Sequence, residues 1–185
     1  RRWSAVASSA DGLKLAAAVS NGKIYTSVDA GATWQERESN RQWKSITWSR
    51  DGRVLVAAVE FGRIFVSRDD GATWTESGPT FQWQDVTCSA DGRKMFAVVS
   101  QGGVFASTDG GVNWIPSGPG AFWKSIAASA DGSQLVAVAG FGFAIHMSKD
   151  AGATWTTHQP AANWSDAAIS DDGKTVLASV LNGPL

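Results

Sequence analysis

Four aspartates carry the most repeated chemistry of the chain. Asp29, Asp69, Asp109 and Asp150 each sit in a Ser-x-Asp-x-Gly-x-(Thr/Asn)-Trp box, and the boxes begin at Ser27, Ser67, Ser107 and Ser148. The spacings are 67−27 = 40, 107−67 = 40 and 148−107 = 41 residues. An aspartate in a glycine-containing loop is one ingredient of a calcium site. Each box, however, offers one carboxylate, or two at Asp69-Asp70, where calcium takes roughly six to eight oxygens. No metal or other cofactor is therefore expected. The same residues suit a tight turn: Asp accepts from backbone N–H groups just ahead of it, Gly permits positive φ, and Trp packs back onto the chain. Asp29, Gly31 and Trp34, with Asp69, Gly71, Trp74, Asp109, Gly111, Trp114, Asp150, Gly152 and Trp155, are read as structural.

Other reactive side chains are few. The one tyrosine, Tyr25, takes a slot held by Phe65 and Phe105 in other copies, which makes it a packing aromatic rather than a nucleophile. His146 fills that slot in the fourth copy and is read as a packed, hydrogen-bonded histidine; with His158 it is too little for a metal site. The single cysteine, Cys88, allows no internal disulfide. A glycosidase needs two carboxylates facing one bond. Once the Asp-Gly turns are set aside, Glu36, Glu38, Glu60, Glu76, Asp85 and Asp166 remain, and no pair among them is singled out. No catalytic residue is assigned, and a non-enzymatic role is expected.

Bulk properties narrow the partners. A formal net charge of −1, with no basic run beyond Arg1-Arg2, argues against nucleic acid. No apolar run approaches the roughly 18 residues that span a bilayer, so no membrane insertion is expected. The chain opens without Met and without a signal-type apolar segment, and reads as a mature chain or a piece of one. At 185 residues and 43% hydrophobic it has material for a sizeable core.

The elements that position the boxes follow from a second marker. Trp3, Trp43, Trp83, Trp123 and Trp164 are followed eight residues later by Asp11, Asp51, Asp91, Asp131 and Asp172, each before a Gly. The unit predicts four short antiparallel strands, a to d. In the second copy they are Trp43 to Ser49, Val54 to Val59, Arg63 to Ser67 and Thr73 to Glu76, with turns at Asp51-Gly52, Phe61-Gly62 and the box. Strand b is apolar almost throughout, from Leu13 to Val19 in the first copy, which implies burial on both faces by stacked sheets. Pro116 predicts an outermost, edge position for strand d. The expected fold is all-β, one domain with complete units at 1–40, 41–80, 81–120 and 121–161 and strands a and b of a fifth at 162–185, where Asn182-Gly183 aligns with Asn21-Gly22. Such a set does not close a ring with its own ends. Another chain, or a missing part of the same one, is expected to complete it.

The boxes and their spacing resemble the Asp-box (bacterial neuraminidase repeat) β-propellers, which include sialidases, Ycf48-type assembly propellers and sortilin-like receptors. The resemblance covers the whole chain, with Asn113 replacing Thr in the third box and one extra residue around Phe141 to Ala144. It implies four-stranded blades, a box at the c–d turn, and extracellular or periplasmic residence. A sialidase-like glycoside hydrolase is the alternative it raises, although the regular repeat leaves no arginine cluster with a Tyr–Glu pair in evidence.

Comparison of the copies divides the loops. The a–b turns and the boxes barely vary and lie at one end of each unit; the b–c turns and the d–a connections vary and lie at the other. Variable loops on a rigid scaffold are where binding specificity sits. The expected function is a binding or scaffold module that recognises carbohydrate or protein through this rim, with Arg41, Trp48, Phe61, Phe81, Phe122 and Phe141 as candidate ligand-binding residues. The Phe side chains serve equally well as caps on the blade interfaces, and Trp48, where other copies have Ser8, Cys88, Ala128 and Ile169, either plugs the central channel or stacks on a sugar. Asn163-Trp164-Ser165 matches a glycosylation acceptor at the variable end. A third expectation is a building block of a larger assembly.

Overall fold

Among the described residues, sixteen strands and no helix build the fold. The computed structural model describes residues 1–181, so the expected Asn182-Gly183 turn lies outside the described residues. The first blade comprises β1 (Trp3–Ser8), β2 (Leu15–Ser27) and the start of β3 (Gln35–Trp48). The rest of β3, β4 (Leu55–Val59), β5 (Gly62–Ser67) and β6 (Thr75–Phe81) form the second. The third blade is β7 (Trp83–Cys88), β8 (Met95–Val99), β9 (Val104–Ser107) and β10 (Ile115–Pro116). The fourth is β11 (Trp123–Ala128), β12 (Leu135–Ala139), β13 (Phe143–Ser148) and β14 (Thr156–Ala162), followed by the pair β15 (Trp164–Ile169) and β16 (Val176–Val180).

Within blades the order is sequential and antiparallel. β2 holds two strands of the unit: Leu15 to Val19 pair with β1 and Ser20 to Thr26 with β3, the chain reversing at Asn21, whose φ is +56°. β3 passes unbroken from the outer strand of blade 1 into the innermost strand of blade 2. Strand b is buried on both faces along β4, β8 and β12. Leu13 is exposed and precedes β2, which begins at Leu15. Pro116 sits in outermost β10, where its missing N–H faces no ladder partner.

One expectation about the loops is corrected. The d–a connections at Gln35 to Gln42, Thr75 to Gln82 and Thr156 to Asn163 are mostly strand; only the stretch from Ile115 to Phe122 is irregular, with two residues in β10. The ladder continues because Phe81 pairs with Gly62 and Arg41 with Gly22, beyond bulges that hold Gly78 (φ +69°) and Glu38 (φ +50°). A bulge absorbs the extra residues and bends the strand toward the next blade.

Each blade interface packs a tryptophan-bearing face onto a face of small and branched side chains. Trp43, Ile46, Leu55 and Phe65 of blade 2 bury against Ala16, Ala18 and Ile24 of blade 1. Trp83, Val86 and Met95 of blade 3 do the same against Val56, Ala58 and Ile64. Full burial of such a side chain contributes about 1.5 to 3 kcal/mol, so these interfaces are the core. An edge-on aromatic pair recurs in the tryptophan-bearing face, Trp43–Phe65 at 5.4 Å and Trp83–Phe105 at 5.5 Å. His146 takes the Phe place in blade 4, its ring 5.1 Å from that of Trp123 and Nδ1 3.3 Å from Thr157 Oγ1. Burial, then the neighbouring His158, lowers its pKa, as expected of a packed imidazole.

The five innermost strands converge on one axis. At their C-terminal end they surround a cavity of about 480 Å³, reached by Ser8, Thr47, Thr87, Ala127 and Ala167. Backbone bonds link successive a–b turns there: Ala10 N–H to Arg50 O, Asp51 N–H to Ala90 O, Ala90 N–H to Ala130 O and Ala130 N–H to Asp171 O. The Arg50 guanidinium pairs with the Asp171 carboxylate, tying blade 2 to the last strand pair.

Candidate functional site

At the a–b and box end, the repeated aspartates are absorbed by turns. In the first box Asp29 Oδ1 accepts from Ser27 Oγ (2.6 Å) and Thr33 N (2.8 Å), Oδ2 from Thr33 Oγ1 (2.5 Å), while Trp34 Nε1 donates to Gly31 O (3.1 Å). The pattern returns at Asp69 and Asp150, and Asn113 Nδ2 replaces the threonine hydroxyl on Asp109 at 2.7 Å. These bonds hold all four carboxyls at about 2, led by Ser27 at Asp29, the threonine side chain at Asp69 and Asp150, and the Asn113 N–H at Asp109. The turn demands more than the glycine: Ala30, Asp70 and Ala151 also adopt positive φ, just before Gly31, Gly71 and Gly152.

The a–b turns are a second Ser-x-Asp-Gly device. Ser9, Ser49, Ser89, Ser129 and Ser170 donate to Asp11, Asp51, Asp91, Asp131 and Asp172. Only the Asp-Gly half was singled out in the sequence. The serine two residues earlier was a readable signal. Among the described residues no group of three or more His, Cys, Asp or Glu side chains is placed to hold a metal ion.

Candidate residues from the sequence separate in space. Trp48 lies at the box end of β3 beside Leu55, 4% exposed, in the blade 1–blade 2 core and facing Lys14 Nζ at 5.6 Å, away from the rim. Arg41 reaches the rim but lies flat, its guanidinium 4.4 Å from the Phe65 ring centroid and its Nε 3.7 Å from Glu38 Oε2. The four Phe residues do gather at the opposite end. Phe61 and Phe141 are 64% and 70% exposed at the tips of b–c turns, while Phe81 and Phe122 are less so. Phe81 packs on Trp83 and Phe105, and Phe122 lies 5.5 Å from Phe141.

Phe61 and Phe141 have a second unusual property. Their φ values are +56° and +62°, the left-handed region that a bulky side chain rarely adopts. Such a conformation costs about 1 to 3 kcal/mol. Asn21, at the equivalent tip of blade 1, has φ +56° with a residue type suited to it. Lys124 Nζ stands 5.1 Å from the Phe141 ring centroid, and Asn163 Oδ1 accepts from Phe141 N at 2.9 Å, which fixes the tip against β15. Lys44, at the corresponding place in blade 2, lines a pocket of about 250 Å³ with Arg2 and Glu60. Neither lysine was singled out in the sequence, because a lysine beside a core tryptophan carries no local signal of its own.

Two acidic residues of the innermost strands differ in role. Asp85 accepts from Ser45 Oγ (2.6 Å) and Val86 N (2.9 Å) on one oxygen and from Ile126 N (2.9 Å) on the other. Burial raises its pKa against the pull of these bonds. Asp166 is exposed and accepts from Ala167 N. Tyr25 donates to Glu36 Oε1 at 2.9 Å on the outer strands of blade 1, and burial followed by the Glu36 bond raises its pKa.

No family model matches the chain, and no curated protein matches it. Among solved structures it is similar to the GH74 enzyme of Niastella koreensis, with a TM-score of 0.75 and 21% identity over 96% of this chain and 28% of that one. It is similar to YCF48 bound to D1 peptide, with a TM-score of 0.72 and 15% identity over 98% of this chain and 61% of that one. A chain of a nidogen/laminin complex gives a TM-score of 0.76 and 13% identity over 96% of this chain and 72% of that one. The chain thus spans less than a third of the GH74 enzyme and under two thirds of YCF48. At these identities the likeness establishes the fold: blades of a β-propeller, an architecture used both by enzymes and by proteins that bind other proteins.

Proposed function

We propose that the chain is a non-enzymatic binding module of the Asp-box propeller type, taking a protein or carbohydrate ligand on the rim that carries Phe61, Phe81, Phe122 and Phe141. The observation that carries this reading is the backbone of Phe61 and Phe141. Both rings are exposed and both sit in left-handed turns, so two unfavourable features coincide at two equivalent tips. Strain of this kind gathers at ligand clamps, and a capping role calls for neither the strain nor the exposure. Capture of a peptide by YCF48 and assembly of nidogen with laminin are precedents on the same fold.

The test is a screen of a glycan array and a displayed peptide library against the wild type and the Phe61→Asn and Phe141→Asn variants. Ligands that no longer bind the variants, while both variants melt cooperatively and no lower than the wild type, support the rim. Binders indifferent to both substitutions refute it.

A second reading is favoured by the outer face of blade 1. Trp3, Tyr25 and Trp34 repeat the tryptophan-bearing face of the other blades, with Trp3 5.6 Å from Tyr25, yet Val6 is 76% exposed where Ile46 is buried. That face fits the small-residue face of a further blade, supplied by a longer polypeptide or by another chain. Sedimentation at the 19.5 kDa monomer mass with a cooperative melt argues against completion by another chain, and a concentration-dependent larger mass supports it.

A further inference from the structure

Lysine and phenylalanine recur together on alternate blades. Lys44 and Phe61 of blade 2 reappear as Lys124 and Phe141 of blade 4, with 124−44 = 80 and 141−61 = 80 residues between counterparts. Blade 3 places Gln84 and Gln101 at these positions, and blade 1 places Ser4 and Asn21. In blade 4 the pair is made: the ammonium lies over the exposed ring at 5.1 Å, and Gly140 leaves the room, since a Cβ there would come 2.7 Å from Lys124 Cε. In blade 2, Lys44 shares its pocket with Glu60, the residue before Phe61, and with Arg2 from the wall of blade 1. Arg2 and Lys44 form no ion pair among the described residues.

We infer that the two Lys–Phe sets are equivalent subsites for an acidic, apolar peptide laid across the mouth of the channel, each subsite taking one carboxylate and one apolar side chain. The inference rests on the rim reading above and deepens it. The ring offers apolar area held rigidly by its turn, which is what an interface anchor supplies. The ammonium beside it gains a desolvated partner when a carboxylate arrives, and charge complementarity of this sort sets partner choice more than raw affinity. Gln84 and Gln101 between the subsites provide neutral donors and acceptors for the intervening backbone. A carboxylate-bearing peptide is favoured over a neutral sugar because an ammonium lies over the exposed Phe141 ring and the sequence repeats the same Lys–Phe spacing at Lys44 and Phe61, where a neutral ligand needs no cation.

The experiment uses fluorescence anisotropy with the whole chain and labelled Glu-Phe-Gly repeat peptides, alongside Gln-Phe-Gly and Lys-Phe-Gly repeats and the acidic polysaccharide alginate. The acidic peptide is made with a free and with an amidated C-terminus, which separates side-chain from terminal carboxylates as the source. Lys44→Gln and Lys124→Gln import the residue that blade 3 already carries, and Phe61→Asn and Phe141→Asn import that of blade 1. The expected result is saturable binding of the Glu-containing peptide, weakened roughly two- to fivefold by each lysine substitution and by added salt. The Gln-containing peptide is expected to bind more weakly and to be insensitive to the lysines. Absence of Glu-peptide binding up to about 1 mM, equal affinity for the Gln and Glu peptides, or binding of alginate in preference to peptide overturns the inference. If the Phe variants abolish binding and the Lys variants leave it unchanged, the rim reading stands and the acidic-peptide inference falls. If neither set matters, both fall.

Discussion

Ser45 and Asp85 occupy the same position of consecutive blades, and the Ser45 hydroxyl donates to Asp85 Oδ1 at 2.6 Å while Asp85 Oδ2 accepts from Ile126 N at 2.9 Å in the blade beyond. One side chain thus joins the innermost strands of three blades around the axis. The other copies place Ala5, Ser125 and Asp166 at this position, so the link is particular to blade 3.

Asp85→Ala leaves the Ser45 hydroxyl and the Ile126 N–H without their acceptor. Loss of about 1 to 3 kcal/mol in urea unfolding is expected. Asp85→Asn keeps one acceptor and removes a charge whose burial is unfavourable, so its loss is expected to be smaller. Equal losses for the two substitutions argue against the hydrogen-bonded bridge.

The box carboxyls set an acid limit on stability. Asp29, Asp69, Asp109 and Asp150 are held at about 2, below the ordinary value of about 3.9 for an unfolded chain. Their contribution is therefore complete above pH 4 and disappears as the pH falls through 2. Melting temperature is expected to drop steeply across that window. Asp69→Asn is expected to lower it at pH 7 and to flatten the slope between pH 4 and 2. An unchanged slope contradicts the assignment.

Phe61→Asn and Phe141→Asn are expected to raise stability by about 1 kcal/mol each, since Asn tolerates the left-handed backbone that Phe resists. The urea midpoint at constant m-value reads this directly. A fall in midpoint shows that the rings act as caps on the blade interfaces.

Glycines of similar φ are expected to respond unequally to alanine. Gly92 and Gly142 have φ of +65° and +81°, but a Cβ on Gly92 comes 2.6 Å from Val54 Cβ, whereas one on Gly142 meets nothing within 4 Å. Gly142→Ala is expected to cost about 1 kcal/mol, the backbone penalty alone. Gly92→Ala adds a collision with the buried Val54 side chain and is expected to cost several times more by thermal melting. Similar losses refute the close approach.

Cys88 is half-buried beside the axial cavity, where desolvation, followed by the Asp51 and Asp91 carboxylates, pushes its thiol up to about 12. Thiolate is the reactive form, so iodoacetamide at pH 8 is expected to label the unfolded chain and leave the folded one untouched. Rapid labelling of the folded protein contradicts this.

The 40-residue period, the four-stranded unit, the doubly buried strand b and the turn role of the boxes are legible from residue types alone, because each rests on local spacing and turn chemistry. Ser27, Asp29, Gly31 and Thr33 make their bonds within a few residues of one another, and such bonds are written into the order of the chain. The reach of strand d to Phe81, the burial of Trp48 and the Asp85 bridge are not, since each depends on which residues of another strand or blade arrive opposite. The pairing of Phe81 with Gly62 needs a bulge at Gly78, and Asp85 meets Ser45 and Ile126 only once three blades surround one axis. At the rim the sequence picked out the phenylalanines by their apolarity, while the tertiary structure alone decided that Phe61 and Phe141 stand exposed in left-handed turns and that Lys124 lies over one of them. Backbone φ and cross-strand proximity are set by the closure of the ladder, and no single stretch of sequence contains that closure.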